Sequence, residues 1–174
     1  MQRELSRIPK ERQNPEKRRR IEFWLDQGLG CCALRHPTVA EKVQESLLHF
    51  HGVRYQLVAW CIMPNHVHVL ANCRDQLAKI VQGWKSFTSR WVLARNEELG
   101  LSIPDKKQFW MREYWDRYIR DEEHLLAVTA YIHNNPVKAG LCEQMSDWRW
   151  SSANPDSQRI ICADGDVGGP GADA

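Results

Sequence analysis

Several features that mark large classes of proteins are missing from this chain of 174 residues. Its six cysteines form no C-x-x-C pair, which argues against a disulfide framework or a zinc knuckle and favours reduced, packed thiols. No apolar stretch is long enough to span a membrane, and the first residues contain no apolar signal core. The sequence shows no internal repeat. We therefore expect a cytoplasmic protein that has no membrane partner.

An excess of charge is also missing, because the formal net charge of +2 is too small to indicate a polyanionic partner by itself. The charges are nevertheless unevenly placed, since residues 1–20 contain eight Lys or Arg and only three Glu. Such a basic arm is most often solvated chain, although it also suits a phosphate backbone. Residues 156–174 are rich in Gly, Asp and Ala and are predicted to be a disordered tail. A single domain over residues 21–155 remains.

Strand and helix patterns alternate along this domain. The predicted elements are a short strand at "CCAL" (31–34), a helix at 37–52, strands at 53–62 and 66–72, a helix starting near Asp75, a strand at 108–119, and a helix that Asp121 caps and Pro136 stops. The turn at residues 63–65 should join its flanking strands in a hairpin. This order predicts an α+β fold, a ferredoxin-like sandwich with a central antiparallel sheet, helices packed on one face and an additional C-terminal helix.

The segment "MPNHVHVL" (63–70) places two histidines inside an apolar run. Side chains alternate across a strand, so His66 and His68 should share one face while Val67 and Val69 point into the core. Two imidazoles side by side are a sound start for a divalent metal site. A short H-x-H motif is more often a pair of exposed or hydrogen-bonded histidines, and this one needs a third ligand from elsewhere in the fold.

The segment "AYIHNNPVKAGL" (130–141) offers the missing groups. Tyr131 and Asn135 are four residues apart, so they share one face if the helix extends that far. A tyrosine near a metal could be a nucleophile, and the asparagine carbonyl could be the third ligand. The alternative is that Tyr131 is a packed aromatic and Asn135 the N-cap of a further short helix beginning at Pro136. Helix geometry alone leaves both interpretations open.

Three ordered motifs, "VAWCIMPNHVHVL" (58–70), "FWMREYWDRYIRDEEHL" (109–125) and "YIHNNPVKAGL" (131–141), resemble the REP-associated tyrosine transposases, which are single-tyrosine HUH transposases. "DWRWSS" (147–152) also resembles that family. The resemblance implies a ferredoxin-like fold and a divalent metal, Mg²⁺ or Mn²⁺, held by His66 and His68. It further implies that Tyr131 is the nucleophile and that Asn135 is the third ligand. Tyr114 and Tyr118 are then packing or DNA-facing residues, with the lesser alternative that one of them is the nucleophile.

The resemblance implies cleavage and rejoining of single-stranded or hairpin-forming repeat DNA through a 5′-phosphotyrosine intermediate. Basic side chains that could track phosphates are Lys85, Arg90, Arg95, Arg112, Arg117 and Lys138. Two nitrogens and one oxygen suit Mn²⁺ better than Mg²⁺, so Mn²⁺ should work at least as well. The enzyme could act as a monomer or a homodimer. Three alternatives stay open: a non-catalytic nucleic-acid-binding module, a domesticated copy that binds without turnover, and a hydrolase that activates water.

Overall fold

The computed structural model describes residues 30–104, 108–112, 114–157 and 159. Its elements are a 3₁₀ turn at Ala33–Arg35, helix α1 at Pro37–Leu48, strand β1 at Tyr55–Ile62, strand β2 at Val67–Cys73, helix α2 at Leu77–Ala94, helix α3 at Glu122–Lys138 and a 3₁₀ turn at Met145–Asp147. The predicted α+β class is confirmed. The predicted basic arm and nearly all of the predicted tail lie outside the described residues, although Ser157, assigned to the tail, is buried. No described helix is long and apolar enough to cross a membrane.

The predicted hairpin is confirmed. Strands β1 and β2 pair antiparallel from Tyr55 opposite Cys73 to Ile62 opposite Val67. The register shifts once, between Leu57 and Ala59, and the alternation moves by one residue there, so that Tyr55 and Leu57 share a face with Trp60 and Ile62. As predicted, Val67 and Val69 pack on the larger apolar cluster. His68 consequently lies on the opposite face of the sheet.

Both faces of the hairpin are covered by helices. Tyr55, Trp60 and Ile62 on one face pack in a cluster that includes residues of α1 and α2. Ala59, Cys61 and Leu70 on the other face pack against Ile132 of α3. As predicted, α1 and α2 pack on one face, and the additional C-terminal helix, α3, covers the other. The physical reason is that β1 is apolar on both sides, so each side gains free energy when a helix removes it from water.

The free edge of β1 is lined by the "DWRWSS" segment. Ile62 donates its backbone N–H to the Trp150 carbonyl at 2.8 Å, and Ser152 donates its own to the Trp60 carbonyl at 3.0 Å. Cys61 and Ser151 form an isolated antiparallel bridge between these bonds. A third, strand-like stretch thus runs beside β1 on the edge that β2 leaves open.

Two predicted strands are absent from the described residues. In place of the first, predicted at residues 31–34, Cys32 has a left-handed backbone with φ of 47° and Ala33–Arg35 form a 3₁₀ turn. The segment at 108–112 and 114–119 contains no strand. Lys85 of α2 donates to the backbone carbonyls of Met111 and Arg112, at 2.8 and 3.2 Å. In a strand these carbonyls would accept backbone N–H groups of a neighbouring strand. The sheet described has two strands, and the ferredoxin-like topology stays a prediction.

Helix α3 begins where the sequence predicts but ends later. The Asp121 carboxylate accepts the His124 backbone N–H at 2.7 Å, which confirms the predicted cap. The predicted stop at Pro136 is wrong, since the helix continues to Lys138. Proline removes one hydrogen bond from a helix interior, but Pro136 is fully buried, so packing offsets that cost. Asn135 therefore lies inside α3 and is not the N-cap of another helix.

Candidate active site

The two histidines are in direct contact on the α3 side of the hairpin. The Nε2 atoms of His66 and His68 are 2.9 Å apart, and the rings meet edge to face with centroids 4.6 Å apart. His66 ends the turn before β2, where its carbonyl accepts the Met63 backbone N–H at 2.8 Å. This bond fixes the backbone that aims the first ring at the second.

Asn65 sets the tautomer of His66. Its side-chain oxygen lies 2.8 Å from His66 Nδ1. Because an amide oxygen only accepts, Nδ1 carries the proton and Nε2 presents a lone pair towards His68. Burial, and secondarily the neighbouring His68, lower the pKa of His66 to about 3. His66 is therefore neutral near pH 7 and can act as a ligand.

Helix α3 brings Asn135 and Tyr131 to the same two rings. The Asn135 amide nitrogen lies 3.1 Å from His68 Nε2, and the Tyr131 ring meets the His68 ring edge to face at 5.5 Å between centroids. Asn135 is 5% exposed, whereas Tyr131 is 39% exposed. The amide is thus enclosed beside the imidazoles, and the phenol stands at the boundary with solvent.

The polar atoms around His68 Nε2 share one point of convergence. If this nitrogen is protonated, it can donate to His66 Nε2 but cannot accept from the Asn135 amide. If it is not protonated, two lone pairs face each other at 2.9 Å. Rotation of the amide by 180° exchanges its oxygen and nitrogen. With the oxygen turned inwards and both Nε2 atoms unprotonated, three lone pairs converge, and this is the arrangement that could hold a cation.

The three polar groups are close together. The two Nε2 atoms are 2.9 Å apart, and the Asn135 amide nitrogen is 3.1 Å from His68 Nε2. No group of three or more His, Cys, Asp or Glu that could hold a metal occurs among the described residues. A metal here would have two imidazoles and one amide, with further positions open to substrate or water.

Of the six cations predicted to follow phosphates, Lys138 is the one that contacts the tyrosine. Its Nζ lies 5.2 Å from the centroid of the Tyr131 ring, and its side chain is exposed. Lys85, Arg90 and Arg95 lie on or at the end of α2, which packs on the opposite side of the sheet. Arg90 donates to the carbonyl of Ser86 in its own helix, and Arg95 stacks on Trp91. Arg112 and Arg117 are exposed in the irregular segment before α3.

The other tyrosines considered as nucleophiles are placed differently. Tyr118 is 87% exposed, and Tyr114 lies beneath the Lys85 ammonium group, 5.7 Å from its ring centroid. Neither has a described contact with the histidine pair, whereas Tyr131 does. The geometry therefore favours Tyr131 over both.

Sequence reasoning missed three residues beside the site: Asn65, His133 and Ser152. Asn65 had a signal, because it is a polar residue directly before a candidate ligand and ligating histidines are usually oriented by such a neighbour. His133 and Ser152, whose Nε2 and Oγ atoms are 2.8 Å apart, stood inside quoted motifs. No spacing rule connects residues so far apart in sequence, so that contact had no signal.

Comparison with known proteins places the chain. The family model described as "Transposase IS200 like" matches residues 33–135, more than half of the chain, and the match includes both histidines, Tyr131 and Asn135. An Escherichia coli K12 protein named "REP-associated tyrosine transposase" is 29% identical over 108 residues, which are 60% of this chain and 58% of that protein. No solved structure matches the chain.

A second curated relative, from Haemophilus influenzae, is named "Putative REP-associated tyrosine transposase". It is 30% identical over 112 residues, which are 62% of this chain and 64% of that protein. The chain thus spans less than two thirds of the length of either relative. The resemblance that the motifs indicated is confirmed, and the chain belongs to the IS200-like transposase family.

Proposed function

We propose that this protein is a DNA transposase and single-strand endonuclease that cleaves and rejoins hairpin-forming repeat DNA through a 5′-phosphotyrosine intermediate. One observation carries the proposal: an imidazole pair, an amide and a phenol from a strand and a distant helix meet around His68. A divalent ion, Mg²⁺ or Mn²⁺, would be held by His66, His68 and Asn135. When bound, it would draw charge from the scissile phosphate and favour the phenolate form of a nearby tyrosine.

Tyr131 supplies the nucleophile. A free phenol has a pKa of about 10, so only about one part in a thousand is phenolate at neutral pH. The Lys138 ammonium, 5.2 Å from the centroid of the Tyr131 ring, adds positive charge near the phenol that must lose its proton. The Tyr131 oxygen forms a bond to phosphorus while the bond from phosphorus to the 3′ oxygen breaks. The 3′ oxygen leaves as a hydroxyl after it takes up a proton.

The linkage to Tyr131 is a phosphodiester that retains the energy of the broken one. A 3′ hydroxyl of a second strand can attack it, which forms the new DNA bond and returns the proton to the tyrosine. Joining therefore needs no ATP. The half-exposed position of Tyr131 supports both steps, because an incoming strand must reach the same oxygen that the first strand used.

The substrate must bring a flexible phosphate to an open site. Single strands and the junctions of hairpins do so more readily than a regular duplex, and the exposed Lys138 can contact the backbone beside the reacting phosphate. Two nitrogen ligands favour Mn²⁺ over Mg²⁺, which prefers oxygen ligands. We expect Mn²⁺ to support cleavage at least as well as Mg²⁺. Cleavage that Mg²⁺ supports and Mn²⁺ does not would contradict this ranking.

A covalent-adduct assay tests the proposal. The full chain is incubated with Mn²⁺ and labelled hairpin DNA built from repeats that flank its gene, and the protein–DNA band is measured on a denaturing gel. We expect Tyr131→Phe to lose the band while it still binds DNA. Tyr118→Phe, which removes the same hydroxyl from an exposed tyrosine, should retain it. Product DNA without a covalent band, or a band that survives in Tyr131→Phe, would contradict the phosphotyrosine mechanism.

The same assay separates the alternatives. A hydrolase that activates water gives cleaved DNA in Tyr131→Phe, whereas a domesticated or non-catalytic binding protein gives neither cleavage nor adduct with any DNA that it binds.

A further inference from the structure

Helix α3 is held to the hairpin along two flanks. Tyr131 and Asn135 lie on the flank that faces β2, in contact with His68. Ile132, 3% exposed, packs on Ala59 and Cys61 of β1. His133 follows Tyr131 by two residues, which is a rotation of about 200° around a helix, so it faces the opposite flank. The helix therefore lies across the sheet, with the reacting side chains on one side of it and His133 on the other.

His133 meets Ser152 on that second flank. Its Nε2 lies 2.8 Å from the Ser152 hydroxyl oxygen. The same hydroxyl oxygen accepts the backbone N–H of Trp60 at 2.9 Å, and Ser152 is 4% exposed. One buried hydroxyl thus connects a side chain of α3 to the backbone of the central strand. The strand-like stretch along β1 fixes the serine, because the Ser152 backbone N–H donates to the Trp60 carbonyl.

We propose that His133 and Ser152 form a latch that sets the position of α3 on the sheet, and thereby the position of the Tyr131 oxygen relative to the histidine pair. This inference rests on the proposed function. The described contact of His133 is with Ser152 and not with the imidazole pair, so we assign both as positioning residues. Nucleophilic attack requires reacting atoms about 3 to 3.5 Å apart, and a misplacement of 1 Å can cost about 100-fold in rate. A helix released on one flank can turn or slide by that amount while the fold persists.

Three substitutions at His133 test the latch. His133→Leu removes the hydrogen bond and keeps apolar volume. His133→Gln places an amide group near the position of Nε2 and should restore the bond, whereas His133→Asn places it near Nδ1, too short to reach Ser152. His124→Leu, the same change elsewhere on α3, is the matched control.

Single-turnover adduct formation with Mn²⁺ and hairpin DNA is compared with DNA affinity and thermal midpoint. The latch predicts a rate at least tenfold lower for His133→Leu and His133→Asn, with DNA affinity within threefold of wild type. His133→Gln and His124→Leu should stay within threefold in rate. Equal rates for His133→Asn and His133→Gln would overturn the latch, and so would a parallel loss of DNA binding and rate, which indicates only a damaged fold. If His133→Leu fails to fold, the Asn and Gln pair still decides.

A second readout does not depend on activity. In metal-free protein without DNA, nuclear Overhauser effects between the ring protons of Tyr131 and His68 report their proximity. The latch predicts that these effects weaken in His133→Asn and persist in His133→Gln, and unchanged effects in both would overturn it. Should wild-type protein form no adduct, the proposed function fails, while this comparison still decides whether the latch positions α3.

Discussion

His68 and Asn135 are 67 residues apart in the chain, yet His68 Nε2 and the Asn135 amide nitrogen are 3.1 Å apart. This contact joins β2, which carries His68, to the helix that carries Tyr131. Both side chains lie on the inner side of the α3 interface, where Asn135 is almost fully buried. Because Asn135 contacts His68, its substitution tests whether the amide contributes to metal binding.

Substitution of Asn135 should change the affinity for metal. We expect Asn135→Leu to weaken Mn²⁺ binding by at least tenfold, because it removes the one oxygen donor of the proposed ligand set. Asn135→Asp should bind at least as tightly as wild type, since a carboxylate is a stronger oxygen ligand for a divalent ion. Each variant without DNA is titrated with Mn²⁺, and electron paramagnetic resonance of the unbound ion gives its Mn²⁺ affinity. An affinity for Asn135→Leu within twofold of wild type would remove Asn135 from the ligand set.

Asn65 should act on the metal through His66. Loss of a hydrogen-bond partner that orients a ligating histidine typically costs 10- to 100-fold in metal affinity. We therefore expect Asn65→Ala to weaken Mn²⁺ binding by about tenfold or more, while Asn134→Ala, an asparagine that bonds to its own helix at Ala130, leaves it unchanged. Isothermal titration calorimetry compares the two variants. Equal affinities would show that the contact between Asn65 and His66 does not hold the ring for metal.

The pH dependence of stability should report the buried imidazole. The pKa of His66 is about 3 in the folded protein, against about 6.5 in an unfolded chain. Between these values the unfolded chain binds more protons, so the free energy of unfolding falls as the pH falls below about 6.5, by up to about 1.4 kcal/mol per pH unit. Denaturant unfolding with a chelator present measures this slope. His66→Gln should flatten it between pH 6.5 and 5, and an unchanged slope would place its source elsewhere.

The N-cap of α3 should contribute a measurable share of stability. Asp121 accepts the His124 backbone N–H, and loss of such a cap typically costs about 1 kcal/mol. We expect Asp121→Ala to lower the free energy of unfolding by about that amount and Asp121→Asn, which keeps a capping oxygen, to lower it by much less. Urea denaturation monitored by tryptophan fluorescence gives both values. A cost for Asp121→Asn equal to that for Asp121→Ala would show that the cap bond does not stabilise α3.

Local pattern was sufficient for the elements that position the site. Side chains alternate along a strand with a period of two residues, which placed His68 and Val69 on opposite faces of β2. A polar residue before an acidic first turn located the start of α3. The end of α3 was mispredicted, because proline stops helices by a local rule that burial of Pro136 overrides. The contacts that complete the site join residues far apart in the chain. Ser152 and Trp60 are 92 residues apart, and no sequence period relates them.

The face that α3 covers could not be read from the residues of β1. Trp60 and Cys61 lie on opposite faces of this strand and both are buried, so the sequence of β1 does not indicate which helix covers which face. Lys85 of α2 likewise bonds to the carbonyls of Met111 and Arg112 in the irregular segment, a contact between elements that no local pattern indicates.

Locating the covalent bond tests most directly whether Tyr131 is the nucleophile. The adduct formed with hairpin DNA and Mn²⁺ is digested with a nuclease and trypsin, and the nucleotide-bearing peptide is identified by mass spectrometry. Cleavage after Arg120 and Lys138 gives one peptide, residues 121–138, in which Tyr131 is the single tyrosine, while Tyr114 and Tyr118 fall in other peptides. The phosphotyrosine mechanism predicts a nucleotide 5′-phosphate on Tyr131. A nucleotide on Tyr114 or Tyr118, or cleaved DNA with no modified peptide, would contradict it.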